Sequence, residues 1–269
     1  MMRISFIGSG NMTSAIVEGL IRSGRDLSAL CFYDHTPQKY ASFEARGAHG
    51  APTLAEALNF GELIVIAVKP QHFAGLYNEI SATGVSLTGK TLLSIAAGIT
   101  IASMERALGA LPIIRAMPNT PLQVGMGIPA LCKNQRVSDE VWAAAQDLFA
   151  VSGEVIVLPE DAIPAIIPLT GSSPAYVFRF IQAIADGAAE TAPYLTDAQR
   201  IRLAAEAVLG SAALLLQDGR SPEALIRAVT SPKGTTEAAN RVLEAGGFSP
   251  LVGDAMKACY DRAVELSKL

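Results

Sequence analysis

Short apolar runs recur through the first half of the chain, at 3–7 (RISFI), 29–33 (ALCFY), 62–68 (ELIVIAV), 91–95 (TLLSI) and 112–117 (PIIRAM). Several are rich in β-branched residues, and amphipathic stretches of helical length separate them, so the pattern alternates strand with helix. That alternation predicts a parallel, doubly wound sheet. A further strand is expected near 125–132 (GMGIPALC). Ser138 is expected to cap a helix running to about 150, and 154–158 (EVIVL) supplies a last strand.

From about residue 163 the pattern changes to helix throughout. Thr196 and Gln199 form a capping box opening DAQRIRLAAEAVLGSAALLLQ, and Ser221 precedes Pro222 at the first position of another helix. The two halves meet near 159–164, which predicts an α/β domain over 1–160 and an all-α domain over 161–269. Stretches such as 203–216 (LAAEAVLGSAALLL) are apolar around most of the helix and carry more apolar surface than about a hundred residues can cover. A homodimer with interleaved helices, or a higher homo-oligomer built from it, is expected.

Composition narrows the classes. The 269 residues are 50% hydrophobic and 17% charged, with a net charge of −4 and no run of Lys and Arg, so no surface is offered to a nucleic-acid backbone. The N-terminal apolar run is broken at Gly8 and Gly10, and no run reaches membrane-spanning length without Gly, Pro or charge; a cytoplasmic protein without a membrane partner is expected. Three cysteines without a CxxC pair and three histidines without ligand spacing point to neither disulfides nor a metal site. Cys31, Cys132 and Cys259 read as small hydrophobes, and His35, His49 and His72 as surface or structural residues.

The turn after the first strand, G-S-G-N-M-T, carries the first candidate chemistry. Gly8 permits a tight turn, Gly10 lets a pyrophosphate approach the backbone, and the helix start at Asn11 and Met12 offers free N–H donors to an anion. Thr13 stands where a third Gly or Ala is usual. A strand-to-helix turn needing flexible residues would look the same, but this one opens a βαβ pattern, and Asp34 closes the second strand at the distance where an acid reaches an adenosine ribose. The reading is a Rossmann-type dinucleotide-binding domain. Val68, Lys69 and Pro70, at the C-terminal end of another strand, are placed to line the cofactor, although a solvated Lys in a Pro-fixed turn reads equally from the sequence. Ala97 and Gly98 leave room for a flat group to approach the backbone or for close helix packing. Asn119 suits a loop that orients a cofactor carboxamide, or a turn in which its side chain bonds the backbone.

VKPQ (68–71), SIAAG (94–98), RAMPNTP (115–121), GSSPAY (171–176) and SPKGTT (231–236) together resemble the pyrroline-5-carboxylate reductase family, from the first strand to the final helix. The resemblance implies a helical dimerisation domain after the dinucleotide domain, and NADPH or NADH reducing the C=N bond of a cyclic imino acid to give L-proline. It places the nicotinamide near Ala97 and Gly98. It also implies that each active site borrows residues from the partner's helical domain. Such chemistry asks for orientation more than for a strong acid, since a protonated cyclic imine is already electrophilic.

The substrate carboxylate is expected on SPKGTT, where Ser231, Lys233, Gly234, Thr235 and Thr236 form a turn at a helix N-terminus. By resemblance Thr236 lies near the ring nitrogen, as a candidate proton relay and catalytic residue. Ser231 or Thr235 acting merely as a helix cap is the plainer alternative. Of the two serines before Pro174, one suffices as a cap and Ser173 is left to face the substrate. Three positions depart from the family pattern: Thr13 for Ala, Ser173 for Gly and Lys233 for Gly. Asp34 favours the 2′-hydroxyl of NADH, whereas His35, Thr36 and Lys39 can serve the 2′-phosphate of NADPH, toward which the resemblance leans. Other readings are an imine reductase, a β-hydroxyacid dehydrogenase, against which the lack of Lys between Pro159 and Lys233 counts, or a cofactor-binding sensor without catalysis.

Overall fold

The structure, a computed structural model, describes residues 2–267. It divides into two compact units, one formed by the chain up to Ser172 together with the segment from Cys259, the other by Ser173–Ala258. The first unit carries strands β1 Ile4–Ile7, β2 Leu30–Tyr33, β3 His49–Gly50, β4 Leu63–Ile66, β5 Thr91–Ser94, β6 Ile113–Met117, β7 Ala130–Lys133 and β8 Ile156–Val157. Between and after them run α1 Asn11–Arg22, α2 Ala41–Glu44, α3 Leu54–Phe60, α4 Phe73–Ala82, α5 Ile101–Leu108, α6 Asp139–Ala150 and α7 Ile163–Ile166.

The strands form one sheet in the order β3-β2-β1-β4-β5-β6-β7-β8. The chain winds outward from β1 to β3, then returns to the other side of β1 as β4, so β1 and β4 flank the point where the winding reverses. In such sheets the crevice for a ligand opens at the carboxyl ends of those two strands. All pairings are parallel except β6 with β7, which run antiparallel through Ala116↔Leu131 and its neighbours. The strand expected at 125–132 therefore starts only at Ala130 and points the other way, because Asn119–Ile128 form a tight return rather than a crossover helix.

Side-chain alternation along the strands sorts the core into two faces. Phe6, Val65, Leu93, Ile114 and Leu131 pack under α1 and α6 with Ile16, Leu20, Leu148 and Phe149. Ile7, Ile64, Ile66, Leu92 and Ile113 face α3, α4 and α5. Phe6 and Phe32 stack across β1 and β2 with centroids 5.2 Å apart. Each buried side chain of this kind contributes roughly 1.5–3 kcal/mol. One charged side chain lies in this core: Arg115 on β6 donates to Glu160 at 3.2 Å.

The second unit is helical, with α8 Ser173–Thr191, α9 Asp197–Asp218, α10 Pro222–Val229, α11 Thr235–Ala245 and the first half of α12 Phe248–Leu266. The Thr196–Gln199 capping box and the Ser221 cap with Pro222 at the first helical position are both present. Helices α8 and α9 pack on each other, and only Ala185 and Ala204 are fully buried in the unit. Phe178, Leu209, Leu216, Val242 and Leu251 are exposed, a density of apolar surface that a monomer in water seldom shows. No helix among the described residues is long and apolar enough to cross a membrane.

Candidate functional site

At the carboxyl end of β1 the chain turns sharply into α1. Gly8 adopts φ +98°, its N–H donates to the Tyr33 carbonyl at 2.8 Å, and a Cβ there would meet the Ala67 carbonyl oxygen at 2.9 Å. Only glycine satisfies both the conformation and the approach of β4. Thr13, at the third position of the fingerprint, is completely buried and donates its hydroxyl to the Gly8 carbonyl at 2.8 Å. The departure from Ala thus fastens the turn to the helix it opens.

Gly10 caps α1 without any side-chain hydrogen bond, and the space a Cβ would take is open. The first N–H groups of α1 are consequently left for an external acceptor. Ser9 is 3% exposed, yet its hydroxyl oxygen has no hydrogen-bond partner among the described residues. A buried orphan hydroxyl, uncapped helix donors and a glycine floor are what a phosphate group would satisfy, so the residues present fit a dinucleotide.

These groups border a cleft of about 540 Å³. Gly8, Gly10, Asp34, Val68 and Lys69 line it, within the size range of small-molecule sites. Asn11 and Met12 form the first turn of α1 beside it, and Pro70 opens the 3₁₀ turn Pro70–His72 that follows Lys69. His35 and His72 line the cleft as well, with His35 Nε2 3.8 Å from Glu79 on α4.

The carboxylate of Asp34 accepts the Ser9 N–H at 2.8 Å and the Thr36 N–H at 2.9 Å, and Lys39 Nζ spans its two oxygens at 2.9 and 3.1 Å. Burial by itself would raise its pKa, but these donors outweigh burial and hold it below the usual carboxylate value. The sequence reading missed the bond to Ser9, because two residues 25 apart are joined only by the pairing of β1 with β2. Burial pushes the thiols of Cys31 and Cys132 up to about 11, so neither is a thiolate near neutral pH.

Three other candidate residues sit outside the cleft lining. Gly98, at φ +81°, faces Leu266, and a Cβ there would come within 3.0 Å of that residue. Ala97 precedes it, after β5. Asn119 is 5% exposed, donates to the Thr170 carbonyl at 3.1 Å and accepts the Ile128 N–H at 3.0 Å. Its side-chain amide thus braces the return between β6 and β7.

In the helical unit, loop 231–236 leads into α11. The N-cap is Gly234, not Ser231 or Thr235, and no side chain caps the helix. The Ser231 hydroxyl fills the space a Cβ on Gly234 would need. Lys233 adopts φ 60°, the left-handed region where glycine is usual, and its N–H donates to Glu237 at 2.6 Å. Ser173 begins α8, and the Cys259 thiol donates to the neighbouring Ser172 hydroxyl at 3.3 Å.

Comparison with known proteins decides the family. A family model described as pyrroline-5-carboxylate reductase dimerisation matches residues 160–266, and one described as NADP oxidoreductase, coenzyme F420-dependent, matches 3–98. The chain is 41% identical to the pyrroline-5-carboxylate reductase of Escherichia coli (strain K12), over 99% of this chain and 98% of that one. It belongs to the pyrroline-5-carboxylate reductase family. A pyrroline-5-carboxylate reductase structure from Coxiella burnetii superposes with a TM-score of 0.88 at 36% identity, covering 100% of this chain and 99% of that one. A Plasmodium falciparum pyrroline carboxylate reductase structure with NADP bound gives 0.88 at 25% identity, covering 99% and 98%. An imine reductase from Streptomyces aurantiacus, 16% identical with a TM-score of 0.52, covers 98% and 95% and shares the fold alone. Pyrroline-5-carboxylate reductases are NAD(P)-dependent oxidoreductases, and the fit of the glycine turn to a dinucleotide agrees with that membership.

Proposed function

We propose that this protein reduces the C=N bond of 1-pyrroline-5-carboxylate to give L-proline, with NADPH or NADH as reductant. The observation that carries this reading is the full-length identity of 41% to a pyrroline-5-carboxylate reductase, joined to a glycine turn whose orphaned donors suit a dinucleotide. When bound, the reduced nicotinamide supplies a hydride equivalent to the imine carbon. The chain's part is orientation. Gly8, Gly10, Asn11 and Met12 hold the phosphates, with Asp34, Val68, Lys69 and Pro70 around them, and Ala97, Gly98 and Asn119 shape the loops after β5 and β6. Loop 231–236 is assigned to the substrate carboxylate, with Ser231, Gly234 and Thr235 forming the turn, Lys233 adding a positive charge, and Ser173 contributing a hydroxyl. Thr236 stands as the proton relay to the ring nitrogen.

The uncapped N-terminus of α11 supports this assignment over a plain helix cap, since its donors are not taken by a side chain. The domains are assigned as 1–160 for the dinucleotide and 161–269 for dimerisation and substrate. The exposed apolar side chains of the helical unit support a homodimer, and we place the enzyme in the cytoplasm. An assay following NADPH and NADH oxidation with 1-pyrroline-5-carboxylate tests the whole reading. Turnover is expected with both; binding of the dinucleotides without turnover would establish a sensor instead.

A further inference from the structure

We propose that Asn119 is a positioning residue for imine reduction: its side-chain amide holds the π-helical turn Ile167–Gly171 at the end of β6, and that turn fixes where Ser173 enters α8. The inference rests on the assignment of Ser173 to the substrate, and it gives Asn119 a task other than orienting a cofactor carboxamide.

Three observations carry it. Asn119 is buried, lies outside the cleft lining, and has both ends of its amide engaged: Nδ2 donates to the Thr170 carbonyl at 3.1 Å and Oδ1 accepts the Ile128 N–H at 3.0 Å. A side chain so held braces backbone and does not meet a dinucleotide. Second, the chain from Ile167 to Gly171 winds as a π-helix, closed by the Ser172 N–H reaching back to the Ile167 carbonyl at 2.7 Å. Such turns are rare and gather at functional sites. Ordinary α-helical pairing cannot serve the Thr170 carbonyl, because the residue four positions on is Pro174, which has no N–H. Thr170 is itself buried, where an unpaired carbonyl is costly, and Asn119 supplies the donor from 51 residues away. Third, a Cβ on Gly171 would stand 3.1 Å from Met117 Cε, so the turn packs directly on the side chain that ends β6. That end of the strand belongs to the sheet edge where ligands collect. Ser173 follows two residues after Gly171, and a shift of the turn passes straight into the first turn of α8. A displacement of about 1 Å at a substrate contact is enough to impair turnover.

The test is a double-mutant cycle on the intact protein, read by steady-state kinetics with 1-pyrroline-5-carboxylate and by fluorescence titration with NADPH. Asn119→Asp keeps the acceptor for Ile128 and removes the donor to Thr170; it is expected to raise KM for the imine about fivefold to tenfold, the scale of one hydrogen bond, while NADPH Kd stays within about twofold. Asn119→Ala, which brings no charge, carries the same measurements if the Asp variant does not fold. Ser173→Ala alone is expected to raise imine KM about as much, and in the Asn119→Asp background to add less than about twofold, because the serine is already displaced. Losses that multiply in the double variant would overturn the coupling of Asn119 to Ser173. Weaker NADPH binding in Asn119→Asp with an unchanged imine KM would overturn the proposal and return the amide to the cofactor. Ser173→Ala kinetics identical to those of the unaltered enzyme would overturn the serine assignment on which the proposal stands, and absence of turnover in the unaltered protein would overturn the activity itself.

Discussion

Arg115 Nη1 lies 3.2 Å from Glu160 Oε1, a guanidinium only 2% exposed against a carboxylate 31% exposed. The same oxygen accepts the N–H of Ile101 at 2.8 Å, so one carboxylate ties β6, the start of α5 and the 3₁₀ turn Glu160–Ala162. Glu160→Ala leaves a buried cation unpaired and is expected to cost about 2–4 kcal/mol, whereas Glu160→Gln keeps an acceptor and costs about 1–2. Urea unfolding of both variants measures the difference. Equal losses would show that the carboxylate charge contributes nothing to the pair.

Gly8 and Gly10 separate folding from binding. Gly8→Ala combines a left-handed backbone with a Cβ 2.9 Å from the Ala67 carbonyl, and should lose about 2–3 kcal/mol of stability along with dinucleotide affinity. Gly10→Ala meets nothing within 4 Å and has an extended backbone, so its unfolding midpoint should hardly move. Its methyl instead enters the space reserved for phosphate, and NADPH affinity should fall at least about tenfold. Thermal melts beside binding titrations of the two variants check this. Unchanged affinity in Gly10→Ala would remove the turn from the cofactor site.

Lys233→Gly should stabilise the protein. A left-handed residue other than glycine costs about 1–2 kcal/mol, and the extra freedom of glycine in the unfolded chain returns about 0.4–1, which leaves a net gain of roughly 0.5–1 kcal/mol. Lost charge beside the substrate loop should raise KM for the imine. A lower midpoint in denaturant would mean that the lysine side chain stabilises the loop by more than its backbone costs.

Thr236→Ala should raise KM and lower kcat/KM by roughly 2–3 kcal/mol of transition-state stabilisation, the scale of one hydrogen bond to a charged group. Dinucleotide Kd should stay as it was. Steady-state kinetics with the imine, beside NADPH titration, distinguish these; kinetics identical to the unaltered enzyme would leave loop 231–236 without a catalytic hydroxyl.

Local features of this chain were legible because they obey local rules. The four-residue strands announce themselves by unbroken apolar runs, and the Thr196 and Ser221 caps by spacing within one helical turn. Strand direction left no such trace: β7 reads as any buried strand, and only its pairing with β6 shows that it runs backwards. The two residues of β3 were invisible to periodicity, with His49 exposed and Gly50 lacking a side chain. Polar partners far apart in sequence were equally hidden. The amide of Asn119 meets Thr170 51 residues away and Asp34 meets Ser9 25 residues away, and neither separation has a local signature. Resemblance suggested loop 231–236 for the substrate, yet the demand for a left-handed residue at Lys233 becomes physical only once its φ of 60° is seen.

Both margins of the eight-stranded sheet are short. β3 and β8 are two residues each, while every strand between them has four or five. An unpaired strand border is a template on which another chain can extend a ladder, and its adhesiveness grows with the number of free amides in register. Here that number is close to the least a strand can have at either margin, so the Ile- and Leu-rich strands of the interior are shielded from intermolecular sheet extension. Such shielding keeps a core this rich in β-branched residues from seeding sheets between molecules, even where chains are crowded.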